Sequence, residues 1–250
     1  YLTDCVELAT KAGFKSSLVL CDERETIGVN SLEELARAEE LFQREKRIEF
    51  MQKGVQLNSP ETVFFSFDTE IGRGTVIEQN VVIAPAVMIE ENATIRAFSH
   101  LEGCRIFRNS KIGPYARIRP GSIVSEGANV GNFVEVKKSI VGPKSKVNHL
   151  SYIGDTKIGE KVNVGAGTIT CNYDGVNKHK TDIEDGAFIG SNTMLVAPVK
   201  VGKNSVTASG SVITKDVPVE ALAFARSRQE NKIGMGKKLM NLLRKQKNKS

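Results

Sequence analysis

An aliphatic residue recurs every six positions through most of this chain, and this period constrains the fold more than any other feature. A helix repeats every 3.6 residues and a half-buried strand every two, so neither keeps one apolar position in six. A chain that makes one short strand and one bend per hexad does keep one apolar position in six. The position is first filled twelve times in succession, with a slip of one residue after Leu101: Ile71, Ile77, Ile83, Ile89, Ile95, Leu101, Ile106, Ile112, Ile118, Val124, Val130 and Val136.

Three such hexads return the chain to its starting face about 4.8 Å higher and stack the aliphatic residues inside a triangular prism. The sequence therefore predicts a mainly β fold, a parallel β-helix from about Gly54 to Val217. At about 18 residues per turn it holds roughly nine turns. The last run of hexads is broken only by Thr207. Glycine often follows the aliphatic residue, as at Gly113 and Gly131, where bends need backbone angles that a Cβ disfavours.

The period by itself leaves the hand of the coil open. The usual crossover rule for parallel strands favours right-handed coils. Hexads that begin with an aliphatic residue and glycine resemble those of the hexapeptide acyltransferases, and that resemblance implies a left-handed parallel β-helix.

The segment before the repeats predicts one long helix. Ser31-Leu32-Glu33-Glu34 has the capping-box pattern, and Gly54 offers a left-handed stop, so the helix should cover about residues 32–53. Residues 1–30, with a short helix ending at Gly13 and a β-rich segment at Ser17–Cys21, are too few to bury a core. Because the chain does not begin with Met, we expect them to be the remnant of a preceding domain.

Four regions follow from these patterns: 1–30 as a domain remnant, 31–53 as a linker helix, 54–225 as the β-helix and 226–250 as a basic tail. The tail carries nine Lys/Arg and one Glu, whereas the preceding residues carry 26 and 28. We expect it to form a short amphipathic helix on another subunit or a solvated end. Because the body is nearly neutral and the chain has no Trp, we expect no nucleic-acid partner.

Cellular location is also constrained. No apolar run approaches the ~18 residues that span a bilayer, and the chain shows no export signal, so we expect no membrane partner. The four cysteines lie far apart without a C-x-x-C pair and are interpreted as free thiols in a reducing compartment, the cytoplasm.

Few residues suit catalysis. The three histidines are 49 and 30 residues apart, which argues against a metal triad. Arg119, Lys137 and His149 are separated by 18 and 12 residues, multiples of the hexad that place them on the same or an adjacent face. Clustered cations without a compensating acid repel each other unless an anion separates them. The pattern predicts a phosphate-bearing ligand beside a general base, His149.

The hexads are interrupted at length only at residues 170–182, T-C-N-Y-D-G-V-N-K-H-K-T-D. A solenoid gains no stability from such a polar loop, so it indicates a site built against a neighbouring coil or subunit. A neutral insertion is the alternative. Cys171 within it is interpreted as structural rather than as a nucleophile.

Several long motifs resemble the C-terminal part of the GlmU family of bacterial bifunctional enzymes. They are R-I-R-P-G (117–121), E-G-A-N-V-G-N-F-V-E-V-K-K (126–138), H-L-S-Y-I-G-D (149–155), N-V-G-A-G-T-I-T-C-N-Y-D-G (163–175) and A-P-V (197–199). Their order and spacing follow the family over nearly the whole chain. The resemblance implies acetyl-CoA-dependent N-acetylation of glucosamine-1-phosphate, together with a uridyltransferase half that is truncated here.

The resemblance also implies roles for individual residues. His149 is the expected base, and Asn30 is the expected Mg²⁺ ligand of the uridyltransferase half. At Ser209 the family usually has alanine. The implied sugar-phosphate contacts are Arg119, Glu135, Lys137, Tyr152, Asn163 and Lys178. The implied acetyl-CoA contacts are Ala166, Asn172, Tyr173, Ser191, Ser209 and Arg226.

Assembly and two rival functions complete the expectations. Flat prism faces and the family resemblance favour a homotrimer. The polar loop projects too far to serve its own groove easily, so we expect Lys178 to reach a neighbouring chain. The rival functions are an O-acyltransferase that uses an acyl carrier protein and a nucleotide sugar, and a β-helical scaffold without catalysis.

Overall fold

The computed structural model describes residues 1–247, apart from the side chains of residues 23 and 24. The last three residues of the predicted tail, 248–250, lie outside the described residues. The chain divides into two compact units, Tyr1–Lys46 and Arg47–Ser250. No helix in the described part of the chain is long and apolar enough to cross a membrane.

Three α-helices are present: α1 (Asp4–Lys11), α2 (Leu32–Gln52) and α3 (Met235–Lys247). Short 3₁₀ helices cover Glu23–Thr26 and Pro60–Thr62. The helix predicted at 32–53 is confirmed as α2. The β-rich segment predicted at Ser17–Cys21 is wrong, because these residues form no strand and no other strand of the first unit is present to pair with them.

The capping residues of α2 behave largely as the sequence indicates. The Glu34 amide donates to Ser31 Oγ at 3.2 Å, and the Glu34 carboxylate accepts from the Asn30 amide at 2.6 Å. At the other end Gly54 has φ +85°, and the Val55 amide donates to the Phe50 carbonyl at 3.0 Å. The backbone groups left free at both helix ends are thus partly satisfied.

The second unit is the predicted parallel β-helix, with strands of two to four residues arranged in three sheets. Each strand pairs with the strand three places later in the chain, as one triangular coil stacked on the next requires, except that Val206–Thr207 pairs with Leu222–Ala223, two places later. Sheet A contains Gln56–Leu57, Val76–Ile77, Thr94–Ile95, Lys111–Ile112, Asn129–Asn132, Lys146–His149, Asn163–Val164, Phe188–Ile189, Val206–Thr207 and Leu222–Ala223.

Sheet B contains Phe64–Phe65, Val82–Ile83, His100–Leu101, Arg117–Ile118, Glu135–Lys137, Tyr152–Gly154, Ile169–Cys171, Met194–Val196 and Val212–Ile213. Sheet C contains Glu70–Ile71, Met88–Ile89, Cys104–Ile106, Ser122–Val124, Ile140–Val141, Thr156–Ile158, Thr181–Ile183 and Val199–Val201. The three sheets make about nine turns.

The coil is left-handed, as the resemblance implied and contrary to the crossover rule. That rule follows from right-twisted strands that feed a helix packed back on the sheet. Here the strands are two to four residues long and are joined by tight corners, so neither strand twist nor a crossover helix imposes the usual hand.

The hexad aliphatic residues fill the prism, and nearly all of them are fully buried. Thr207, the one break in the last run, is also buried. Its hydroxyl accepts a hydrogen bond from the Gly190 amide at 3.1 Å, so the polar atom inside the core is satisfied. The period therefore marks burial correctly even where the residue type departs from it.

Candidate functional site

The corner between sheets A and B brings His149 and three of the six predicted cofactor residues into one line. Each coil contributes one residue, and the carbonyl of most of them accepts a hydrogen bond from the next coil. The Gly167 amide donates to the His149 carbonyl at 3.3 Å, and the Gly210 amide donates to the Ser191 carbonyl at 2.8 Å. We call this line the A–B corner column; its members are Gln79, Ala97, Pro114, Asn132, His149, Ala166, Ser191 and Ser209.

Arg226 lies beside the upper end of this column. A Cβ placed on Gly210 would lie 3.9 Å from Arg226 Cδ, and the adjacent Ala225 carbonyl accepts from the Val212 amide at 3.1 Å. Four predicted acetyl-CoA contacts, Ala166, Ser191, Ser209 and Arg226, are thus brought together although 60 positions separate the first from the last.

Asn132 holds the imidazole of His149. The two residues are register partners in sheet A, and Asn132 Oδ1 lies 2.8 Å from His149 Nδ1. Because a carbonyl oxygen only accepts, Nδ1 carries the hydrogen and Nε2 keeps its lone pair. The sequence analysis missed Asn132. Its signal was present, since Asn132 precedes His149 by 17 residues, about one coil.

A groove of about 320 Å³ adjoins His149 at this corner. Its lining includes Asn132 and His149, together with the cations Arg96 and Lys111. These two cations were not singled out from the sequence. The groove therefore gives the exposed imidazole a concave, positively charged neighbourhood.

Sheet B carries the predicted phosphate contacts, and acids accompany them. Arg119 follows the strand Arg117–Ile118, and its guanidinium donates to the Glu135 carboxylate at 2.7 Å. Lys137 is the register partner of Gly154, and its ammonium lies 4.0 Å from the Asp155 carboxylate. The expectation of a cation cluster without compensating acid is wrong, because the coil spacing that stacks the cations also stacks these carboxylates.

The polar loop is a short hairpin. Tyr173 and Lys178 form an antiparallel bridge, and the His179 amide donates to the Asn172 carbonyl at 2.8 Å. The Asp174 carboxylate accepts from the Asn177 amide at 2.6 Å. It also contacts the His179 ring, and this contact is the main reason that the pKa of Asp174 lies below its usual range.

The hairpin returns Lys178 to its own chain. The neighbouring Lys137 ammonium lowers the pKa of Lys178 by close contact and by charge repulsion, while Asp155 and Tyr152 act in the opposite direction. Lys178 therefore interacts with Lys137 of its own chain, and the expected reach of the loop to a neighbouring chain stays a prediction. Two lysines beside one carboxylate leave an excess positive charge for an anion.

Asp155 joins the lysine pair to the predicted cofactor residue Asn172. The Asn172 side-chain amide donates to the same Asp155 oxygen that faces Lys137. Tyr152 packs across Gly154, where a Cβ would lie 2.5 Å from the Tyr152 hydroxyl and 2.8 Å from Asn172 Nδ2. Only glycine leaves room for both side chains. Asp155 was absent from the predicted residues, although it lies inside the H-L-S-Y-I-G-D motif.

Asn163 lies apart from these groups, and Asn30 belongs to the other compact unit. Asn163 is on sheet A, paired with Lys146 and Phe188, whereas Arg119 and Lys137 belong to sheet B. Asn30 lies in the first unit and is exposed. No group of three His, Cys, Asp or Glu among the described residues could hold a metal ion, and a single amide does not make a Mg²⁺ site.

All four cysteines are free thiols. Burial raises the pKa of the Cys104 thiol to about 12 and also raises the pKa of Cys171. A thiolate, not a thiol, is the nucleophile. The interpretation of Cys171 as structural is consistent with this direction.

Comparisons with known proteins place the fold and the sequence. A family model described as bacterial transferase hexapeptide (six repeats) matches residues 68–103 and 180–215. The bifunctional protein GlmU of Jannaschia sp. (strain CCS1) is 56% identical over 239 residues, 96% of this chain and 53% of that protein. GlmU of Ruegeria sp. (strain TM1040) is 58% identical over 244 residues, 98% of this chain and 54% of that protein. The chain spans about half the length of these curated relatives.

Solved structures agree on the fold. LpxA, a UDP-N-acetylglucosamine acyltransferase from Bacteroides fragilis 9343, superposes with a TM-score of 0.57 at 20% identity, over 64% of this chain and 69% of that chain. The Arabidopsis UDP-N-acetylglucosamine acyltransferase gives a TM-score of 0.57 at 14% identity, over 76% of this chain and 73% of that chain. At such identities the likeness shows the fold alone.

Proposed function

Because this chain is homologous to the C-terminal portion of the bifunctional GlmU proteins, we propose that it transfers the acetyl group of acetyl-CoA to the amine of glucosamine-1-phosphate. The product is N-acetylglucosamine-1-phosphate, a precursor of UDP-N-acetylglucosamine. The observation that carries the proposal is the His149–Asn132 pair, at 2.8 Å, in the same corner column as Ala166, Ser191 and Ser209.

His149 acts as the general base. Asn132 keeps the hydrogen on Nδ1, so Nε2 accepts the proton from the attacking amine. The amine nitrogen forms a bond to the acetyl carbon, the carbon–sulfur bond breaks, and the proton passes from Nε2 to the departing CoA sulfur. No acetyl-enzyme is required. Backbone amides or an amide side chain near Val164–Thr168 stabilise the oxyanion.

The phosphate of the sugar binds between Lys137 and Lys178. The two ammonium groups repel each other in the free protein, as the lowered pKa of Lys178 indicates, and an anion relieves that repulsion. Arg119 contributes a third cation, already oriented by its ion pair with Glu135. Tyr152 completes the proposed sugar contacts on sheet B, whereas the predicted contact Asn163 lies on sheet A. Glu135 lies on the same strand as Lys137, where it can accept from the sugar amine.

Acetyl-CoA lies along the upper part of the corner column. Ala166, Ser191 and Ser209 have short side chains, so an extended thioester arm can follow the backbone from His149 to Arg226. Arg226 binds a CoA phosphate. Asn172 is fixed by Asp155, and together with Tyr173 it completes the proposed cofactor contacts from the hairpin.

We propose a homotrimer as the working assembly. A three-sided prism presents flat faces that a cyclic three-fold assembly covers. Light scattering should give three times the 27.3 kDa chain mass, and a monomeric mass with full activity would refute the trimer. The cytoplasm, where acetyl-CoA is available and thiols stay reduced, is the proposed location.

The whole-protein activity of the relatives is a separate proposal. The uridyltransferase reaction requires a nucleotide-binding loop and an aspartate partner for Asn30, and the 250 residues contain neither. We therefore expect this chain to make no UDP-N-acetylglucosamine when supplied with UTP and Mg²⁺. Formation of that product by the isolated chain would contradict the division of activities.

One assay separates the proposed function from its rivals. Purified chain with acetyl-CoA and glucosamine-1-phosphate should release free CoA thiol, whereas an acyl carrier protein with a nucleotide sugar should not react. Release of thiol only with the second pair would favour an O-acyltransferase. No thiol release with either pair would favour a scaffold without catalysis.

A further inference from the structure

Helix α3, Met235–Lys247, has a composition unlike the rest of the chain. The last acidic residue of the sequence is Glu230, so α3 contains no carboxylate. Over thirteen residues the helix presents five cations to solvent. These cations are Lys237, Lys238, Arg244, Lys245 and Lys247.

The same helix carries an apolar stripe. Met235, Leu239 and Leu242 follow each other at spacings of four and three residues, which keeps them on one face at 3.6 residues per turn. Leu243 lies beside them. These four side chains are 48–54% exposed. On the helical wheel Lys237 and Arg244 lie opposite the stripe with Asn241 beside them, Lys238 and Lys245 flank it next to Leu242, and Lys247 and Met240 lie beyond Leu243.

A thirteen-residue helix of this kind is marginal in water by itself. Isolated helices shorter than ~12–15 residues are barely stable, and most helices in proteins persist because an apolar face is buried. Every residue of α3 is exposed in the structure. The helix therefore needs a surface that takes both its apolar stripe and its positive charge.

Four kinds of surface can be compared. The β-helix of another subunit would bury the leucines, but the residues before the tail carry 26 basic and 28 acidic side chains, so this nearly neutral surface would not neutralise five cations. A nucleic acid would neutralise the cations but leave Leu239 and Leu242 in water. A second α3 would bury the leucines but would bring ten cations together without one carboxylate. An anionic lipid surface accepts the leucines at the acyl boundary and the cations among its headgroups.

We infer that α3 docks on an anionic lipid surface, with its axis in the plane of the interface. The inference changes the expectation of no membrane partner, which rested on the absence of a spanning segment. Docking in the interface needs no span, only an amphipathic helix rich in Lys and Arg. It is also independent of the acetyltransferase proposal, because no residue of α3 belongs to the proposed site.

The absence of tryptophan from the chain provides a clean optical test. Leu239→Trp in the full chain places one indole on the apolar stripe, and Asn241→Trp places one among the cations as the matched control. Mixed with vesicles of phosphatidylglycerol and phosphatidylethanolamine, the Leu239→Trp emission should shift to shorter wavelength and become protected from an aqueous quencher. The Asn241→Trp indole should stay accessible to the quencher.

Charge variants test the electrostatic part. Each Lys or Arg near such a surface contributes about 1 kcal/mol, about fivefold in partitioning. The variant Lys237→Gln/Lys238→Gln should therefore bind the anionic vesicles about 25-fold more weakly in a sedimentation assay. The matched control Lys144→Gln/Lys203→Gln removes two exposed lysines from the β-helix and should bind like the unaltered chain. Thiol release in solution should be unchanged in both variants.

Clear outcomes would overturn the inference. Equal binding to phosphatidylcholine vesicles, or no binding to either kind, would exclude anionic lipid as the partner. An emission shift of Leu239→Trp without vesicles that grows with protein concentration would identify a second copy of the chain. Release from the vesicles by duplex DNA at equal charge would identify nucleic acid as the preferred surface.

Discussion

The two halves of the A–B corner have the same backbone conformation but carry side chains of different size. In the coils below His149, three residues in the left-handed conformation are large: Phe98, Tyr115 and Phe133 have φ of 55–60°. Leu150, which follows His149, has φ of 49°, and only Asn80, next to Gln79 at the start of the column, is small. Above His149, the equivalent positions are small, namely Gly167, Asn192 and Gly210 with φ of 55–75°.

Large side chains at such φ values are strained, so their presence calls for a compensating interaction. Phe98 and Tyr115 stack with ring centroids 4.8 Å apart, and Tyr115 and Phe133 stack at 5.2 Å. The lower half thus carries stacked aromatic rings that stabilise successive coils, whereas the upper half has only small side chains along the backbone. His149 thus stands between the half of the corner stabilised by stacked rings and the half that is proposed to bind acetyl-CoA.

Removing the residue at this border should have the largest effect. His149→Ala should lower kcat by about 10² to 10⁴-fold, the usual range for loss of a general base. Thiol-release kinetics measure this, and circular dichroism checks that the β-helix remains. His100→Ala, which removes an exposed imidazole elsewhere, is the control. Activity of His149→Ala within threefold of the unaltered chain would remove His149 from the mechanism.

A large side chain in the upper half, as in the lower half, should block the proposed path of acetyl-CoA. Ala166→Leu adds bulk next to His149 in the corner column and should raise the KM for acetyl-CoA at least tenfold, with the KM for glucosamine-1-phosphate unchanged. Gln79→Leu places the same side chain, leucine, at the equivalent position of the lower half and should leave both KM values unchanged. Equal effects of the two variants would mean that the halves do not differ in binding.

Asn132, the last column residue below the border, should act through His149 alone. Asn132→Ala removes the acceptor that fixes the hydrogen on Nδ1, so kcat should fall about tenfold with both KM values retained. Nitrogen NMR of the ring should show the hydrogen shared between Nδ1 and Nε2. Asn132→Asp keeps an acceptor and should restore the Nδ1–H form. An unchanged nitrogen spectrum in Asn132→Ala would rule out the positioning role.

The pH dependence of the KM for the sugar phosphate should report on the pair Lys137 and Lys178 and not on the corner column. Lys137 lowers the pKa of Lys178, and Asp155 opposes this. As pH rises, Lys178 loses its proton earlier than an ordinary lysine, and the KM for the sugar phosphate should increase. Asp155→Asn lowers the pKa of Lys178 further, so this increase should begin at lower pH. The exposed control Glu126→Gln should not move it, and a shift to higher pH in Asp155→Asn would contradict the assignment.

The smallest effect is expected from the stacked aromatic rings. Tyr115→Asn removes the central ring but keeps a residue that tolerates the left-handed conformation. Loss of two stacking contacts should lower the free energy of unfolding by about 1–2 kcal/mol, measured by denaturant titration, while kcat changes little. A loss of activity as large as that of Ala166→Leu would show that the lower half also takes part in binding.

The sequence determined the β-helix, its extent and its core because the hexad period indicates directly which residue of each hexad points inward. It also indicated His149 and the cations, since intervals of 18 and 12 residues map onto successive coils. The resemblance added the cofactor residues, and the structure places three of them in a single line with His149 and Arg226 beside the end of that line.

The tertiary structure alone decided the partners of these groups. Asn132 and Asp155 were not singled out from the sequence, and Glu135 was expected near the substrate but not as the partner of Arg119. Only the register of one coil on the next gives His149 an acceptor, Arg119 a carboxylate and Lys137 a neighbour. The hairpin made the same difference for Lys178, because its reach depends on the fold of residues 172–179. Periodicity fixes which way a side chain faces, but contacts between coils depend on the rise and hand of the solenoid, and no single coil contains that information.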